Sequence, residues 1–114
     1  MISLDTDGDC RLLVPVLLEA GINVTCPLEV QAGMDPVALR REYGRDLRLW
    51  GGIDKRVLAR TTKDIDRELM AKIPPLVADG GYIPTLDHCA PPDISYENWV
   101  YYLDRKMKLL ERGC

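Results

Sequence analysis

The chain has 114 residues, a net charge of −3, and 46% hydrophobic with 29% charged residues, the balance of one small soluble globular domain. Its lysines and arginines are scattered, not gathered into a stripe, which argues against a nucleic-acid partner. No apolar run nears the roughly 20 residues needed to cross a bilayer, so a membrane partner is not expected.

The start, Met1-Ile2-Ser3-Leu4-Asp5, lacks a basic segment followed by an apolar one, so the expected location is cytoplasmic. Cys10, Cys26, Cys89 and Cys114 are irregularly spaced and form no CxxC pair, and in the cytosol they are expected as reduced thiols. Phenylalanine is absent, so leucine, isoleucine and valine must fill the core.

Short apolar runs and helical patterns alternate four times. Ile2–Asp5 reads as a strand opening into the turn Thr6-Asp7-Gly8. Asp9 is the expected cap of a helix through Glu19, with Leu12, Leu13, Val16 and Leu17 at helical spacing and Gly21 closing it. Ile22–Glu29 reads as a second strand, and after a turn Asp35 and Pro36 open a short helix to about Tyr43. Leu47–Trp50 forms a third strand ahead of Gly51-Gly52-Ile53-Asp54, with a brief helix around Lys55–Ala59.

Thr61 and Asp64 have capping-box spacing and begin a longer helix on Ile65, Leu69, Ile73 and Leu76, where Pro74-Pro75 should disturb the late turns. Tyr82–Leu86 is the fourth strand, and Ser95 caps a last helix whose stripe is Trp99, Val100, Leu103, Met107 and Leu110. The order βαβαβαβα predicts an α/β fold in which four parallel strand–helix units form a single domain over residues 1–114. Half of a (β/α)8 barrel and a small open flavodoxin-like layer both fit that pattern.

A parallel sheet sends every strand end to one rim, and acids sit at each of these ends. Asp5 and Asp7 follow the first strand, Glu29 the second, Asp54 the third, and Asp87 with His88 the fourth. Such a rim can carry acid–base chemistry or hold a divalent cation through oxygen ligands. Asp5, Asp7 and His88 are the candidate catalytic residues. Glu29, Asp54 and Asp87 are individually better explained as caps or solvated loop residues. His88 is the chain's only histidine, the residue type that titrates nearest neutral pH. Gly51-Gly52 could bring backbone close to a ligand, and Cys89 beside His88 is too little to define a zinc site.

Four segments in order resemble the second half of the uroporphyrinogen decarboxylase superfamily. They are Ile2-Ser3-Leu4-Asp5-Thr6-Asp7-Gly8; Glu19-Ala20-Gly21-Ile22-Asn23 through Pro27-Leu28-Glu29; Leu49-Trp50-Gly51-Gly52-Ile53-Asp54; and Gly80-Gly81-Tyr82 through His88-Cys89-Ala90-Pro91-Pro92, then Tyr96-Glu97-Asn98. The resemblance covers nearly the whole chain. It implies a (β/α)8 barrel of which this chain carries the C-terminal half. It also implies removal of acetate carboxyl groups from a tetrapyrrole, without metal or cofactor.

Under it, His88 matches the histidine that the decarboxylases hold near the substrate, and Gly8, Glu29, Gly51, Gly52 and Asp54 become candidate substrate-binding residues. Related enzymes move methyl groups between a corrinoid protein and a thiol with zinc, so a methyltransferase-type domain with zinc or another divalent metal is the alternative. Those enzymes have a His-x-Cys pair where Asp5 and Asp7 stand, and a cysteine in place of His88. The family's N-terminal arginine, aspartate and tyrosine are absent. A second copy of the chain, or a separate N-terminal half-barrel, is therefore the expected partner beside a tetrapyrrole or corrinoid-related small molecule. A non-catalytic tetrapyrrole-binding fragment is a further reading.

Overall fold

A buried row of Thr25, Leu49 and Tyr82 runs across three adjacent strands and carries the helices on one side of the sheet. The computed structural model describes residues 1–113, so Cys114 lies outside the described residues. In chain order come β1 (Ser3–Asp5), α1 (Val14–Glu19), β2 (Val24–Leu28), a 3-10 turn (Val30–Ala32), α2 (Pro36–Tyr43), β3 (Arg48–Gly51), a 3-10 turn (Lys55–Ala59), α3 (Thr62–Asp79), β4 (Tyr82–Ile83) and α4 (Tyr96–Gly113).

All pairings are parallel, and the sheet order is β1-β2-β3-β4. Because that order never reverses, right-handed crossovers put the helices on a single face. A doubly wound layer reverses its strand order, so the flavodoxin-like alternative falls. The fold is an open, all-parallel α/β sheet of half-barrel type.

Register sorts the side chains between the two faces. Leu49 pairs with Tyr82 on the helix side, where Leu28, Leu47, Ile65, Leu69, Ile73 and Leu76 complete the core. Trp50 and Ile83, one residue further along, pair on the opposite face and are exposed. In a closed barrel that bare face would be the packed interior.

Caps set the helix starts. The Asp35 carboxylate accepts from Val37 N at 3.0 Å, with Pro36 next in the first turn. Thr61 Oγ1 accepts from Asp64 N at 3.2 Å to open α3, as the spacing predicts. Ser95 Oγ accepts from Asn98 N at 3.1 Å. The Asn98 amide in turn donates to the carbonyls of Leu58 (2.8 Å) and Arg60 (2.7 Å), and Tyr101 and Arg105 both donate to Asp66 on α3. These bonds dock α4 against α3 and against the turn that precedes it.

Four expectations need correction. Helix α1 begins at Val14, not after Asp9: Pro15 is tolerated only in a first turn, and Asp9 instead accepts from Arg11 N in a local turn. Pro74 and Pro75 do not break α3, because Ile65, Leu69, Ile73 and Leu76 bury one face along its whole length. Strand β4 stops at Ile83, since Pro84 has no N–H for the ladder, and pairing resumes only at the Ile53–Leu86 bridge. The α4 stripe splits: Tyr102 and Leu109 are buried, while Val100, Leu103 and Met107 are exposed. Docking on α3 selects the tyrosine side of α4, a choice its own periodicity does not contain.

The ends of β2 and β3 approach closely at Gly51. Its φ of 108° is a left-handed value, and a Cβ there would lie 2.9 Å from Leu28 N. Gly51→Ala should lower stability by roughly 1–3 kcal/mol. A urea-unfolding midpoint equal to that of the parent would contradict this account of the strand contact.

Candidate functional site

Parallel strands deliver their following loops to one rim, and three of these loops bring side chains together there. Asp7 comes from the loop after β1, Glu29 from the end of β2, and His88 from the loop after β4. His88 Nε2 lies 4.0 Å from Asp7 Oδ1 and 4.0 Å from Glu29 Oε1. Glu29 is the most buried of the three, while Asp7 and His88 open to solvent.

Beside them is a cleft of about 640 Å³, lined by Asp5, Asp7, Cys26, Pro27, His88 and Cys89 on the rim side. Helix α4 forms its other wall with Trp99, Tyr102, Leu103 and Lys106. Among the described lining residues Lys106 is the one lysine or arginine. Its ammonium lies 5.2 Å from the Tyr102 ring centroid, and burial holds its pKa below the usual lysine range. The same burial raises the Tyr102 phenol to about 12. An apolar cleft wall carrying one partly desolvated cation, opposite a rim of carboxylates, suits a ligand with both anionic and donor groups.

What holds the rim together is Asp87, an acid expected as a cap or a solvated loop residue. It is neither solvated nor free: only 1% exposed, it accepts from Val30 N at 3.1 Å through Oδ2 and from Lys55 N at 3.1 Å through Oδ1. One carboxylate thus ties the loops after β2 and β3 to the segment after β4, next in sequence to His88 and bonded to the residue after Glu29.

The remaining candidates lie elsewhere. Asp5 lines the cleft but is not part of the three-residue cluster. Gly8 has a φ of 78° with open space around it, and is outside the cleft lining. Gly51 and Gly52 are buried: the Gly51 carbonyl accepts from Tyr82 Oη at 2.9 Å, and the Gly52 carbonyl from Lys72 Nζ at 2.7 Å. A Cβ on Gly52 would meet Pro36 Cγ at 2.6 Å, so this glycine serves close packing of α2 on the sheet. Asp54 is buried and caps the turn that follows it, held by Arg56 at 2.9 and 2.8 Å. Burial alone would raise its pKa, but the Arg56 hydrogen bonds outweigh this and hold it below the usual range.

Sequence reading missed Lys106 and the structural role of Asp87. Neither has a local signature, because each acts only once distant elements have docked. Cys10, Cys26 and Cys89 are free, and burial pushes the Cys10 and Cys26 thiols up, away from nucleophilic thiolate character.

The donor atoms of Asp7, Glu29 and His88 all lie within 4.8 Å of one another. Two carboxylate oxygens and one imidazole nitrogen form a donor set for a hard or borderline divalent cation. It lacks the soft thiolates of a zinc methyl-transfer centre, and no cysteine belongs to the cluster. No protein-family model matches the sequence, and no curated protein matches it either. Among the described residues no helix is long and apolar enough to cross a membrane.

Replacing Asp87 by Ala leaves two part-buried amides, those of Val30 and Lys55, without their acceptor. It should cost roughly 1–3 kcal/mol for each group left unsatisfied, read as a fall in the urea midpoint. A change under about 0.5 kcal/mol would contradict the clamp. Asp54 gives a pH prediction. Its folded-state pKa is lowered, so its stabilisation is complete above the ordinary aspartate value near about 4 and is lost as pH falls through the lower folded value. Asp54→Asn should therefore flatten the acid limb of the stability–pH curve, and an unaltered limb would contradict the pairing with Arg56.

Proposed function

We propose that this chain is the C-terminal half of a uroporphyrinogen decarboxylase-like barrel, and that its rim takes part in decarboxylating a tetrapyrrole or a related polycarboxylate. The observation that carries the proposal is the convergence of Asp7, Glu29 and His88 from three separate strand ends beside a cleft. The resemblance of four segments in register supplies the substrate class.

In this reading His88 orients or polarises a substrate carboxylate, and Asp7 accepts hydrogen bonds from pyrrole N–H groups. Loss of CO2 from an acetate arm leaves a methyl group once a proton reaches the same carbon. Lys106, with its ammonium partly desolvated at the cleft wall, fits a second carboxylate of the same ligand. The remaining strands would come from a second copy or a separate N-terminal half, which would also bring further polar groups to the rim.

One alternative is a methyltransferase-type domain with a divalent metal, for which the cluster offers two oxygen donors and one nitrogen donor but no thiolate. If a metal binds, Asp7, Glu29 and His88 would hold it, and it would supply Lewis acidity toward a bound oxygen or sulfur atom.

Assay of the assembled protein with a reduced uroporphyrin-type substrate should show stepwise CO2 release. His88→Ala should cut turnover by about 10²-fold or more, the usual weight of a positioned acid–base or polarising group. Tetrapyrrole binding without CO2 release would leave only a binding role. Turnover that survives the His88 substitution unchanged would remove His88 from the mechanism. Activity appearing only with added divalent metal would favour the alternative.

A further inference from the structure

Lys106 is set apart from other lysines of the chain by what surrounds it. Lys72 and Lys108 each bond a carboxylate one turn earlier on their own helix, Glu68 and Asp104, and Lys63 is exposed. Lys106 instead lines the cleft, beside Leu86, Trp99, Tyr102 and Leu103. Among the described residues no carboxylate oxygen lies within 4.0 Å of its Nζ. Its contacts are the Pro84 carbonyl, at a long 3.4 Å, and the Tyr102 ring, whose centroid is 5.2 Å away. Both orient the group without neutralising it. An amine drawn out of water with no anion beside it shifts toward its uncharged form, and burial holds this lysine below its usual range. The uncharged form carries the lone pair that makes a lysine nucleophilic.

The charged groups of the lining on the rim side are Asp5 and Asp7. Their carboxylates accept hydrogen bonds, which suits hydroxyl donors on a ligand. The cleft's volume of about 640 Å³ falls in the range of small-molecule sites.

We infer that Lys106 captures carbonyl compounds: its amine forms an imine with an aldehyde or ketone whose hydroxyl groups donate to Asp5 and Asp7. The Nζ lone pair forms a bond to the carbonyl carbon, and the carbonyl π pair moves onto oxygen. A proton passes from nitrogen to that oxygen, giving a carbinolamine. Uptake of one further proton from solvent lets the oxygen leave as water, and the protonated imine remains. Nothing is oxidised or reduced.

This inference goes beyond the decarboxylase reading and does not lean on it. As an ammonium Lys106 pairs with a ligand carboxylate; as a free amine it adds to a carbonyl. A chain that releases no CO2 would end the decarboxylase reading and leave the imine untouched.

Treatment of the full chain with glyceraldehyde and cyanoborohydride, followed by peptide mass mapping, tests it. The reductant delivers hydride to the imine carbon and fixes the adduct as a secondary amine. Near pH 7, Lys106 should carry about tenfold more adduct than exposed Lys63, the weight of one pKa unit in the uncharged fraction. Its labelling should saturate with aldehyde concentration and reach its alkaline plateau below the usual lysine value of about 10.5. Lys106→Met should lose this adduct while labelling of Lys63 is unchanged. Propanal, which has no hydroxyl groups, should be trapped at Lys106 less than glyceraldehyde is. An adduct at Lys106 no richer than at Lys63, or a plateau at the ordinary lysine value, would overturn the capture. Equal trapping of propanal and glyceraldehyde would overturn the part given to Asp5 and Asp7.

Discussion

The loops after β2 and β3 are held by a single carboxylate, Asp87, whose two oxygens each accept one backbone N–H from a different loop. Such a group is costly to bury and is stable only because both amides point at it. Its neighbours in sequence and space inherit that order. Val30, whose amide it holds, follows Glu29, and His88 follows Asp87 itself. The rim cluster is therefore not three side chains that happen to sit on mobile loops. Two of its three members are adjacent to the ends of one clamp, and only Asp7, on the loop after β1, lies outside it.

The same economy governs the strand ends below the rim. Gly51 and Gly52 let β2 and α2 approach β3 more closely than any side chain permits. Their carbonyls are then taken by Tyr82 and by Lys72, the latter also paired with Glu68. Asp54, a residue further on from Ile53, is paired with Arg56 and does not line the cleft. Acids at strand ends thus divide into two kinds. Asp54 and Asp87 are buried and spend both oxygens on structure, whereas Asp5 and Asp7 remain exposed toward the cleft.

Much of the architecture was legible because its signals are local. The alternation of apolar runs with capped helices gave the four parallel units, and the Asp35-Pro36 and Thr61–Asp64 signatures marked two helix starts correctly. Convergence of strand ends on one rim follows from parallel topology, which is why Asp7, Glu29 and His88 could be named in advance. Other features depend on docking and left no trace in the sequence. The face of α4 that is buried is set by Asp66 bonding Tyr101 and Arg105, and Lys106 reaches the cleft only as a consequence. The division of the acids into structural and exposed kinds depends on Arg56 and on two amides far from Asp87 in sequence.

His88 is the chain's only histidine, so its imidazole gives one unambiguous set of resonances. The most direct test of a ligand-binding rim is to follow that imidazole by NMR while a polycarboxylate tetrapyrrole is added to the assembled protein. The account predicts a saturable shift of the His88 signals, weakened when Asp7 is replaced by Asn. Binding of the tetrapyrrole with the His88 signals unmoved would contradict it, because the ligand would then occupy some surface other than the rim on which the strands converge.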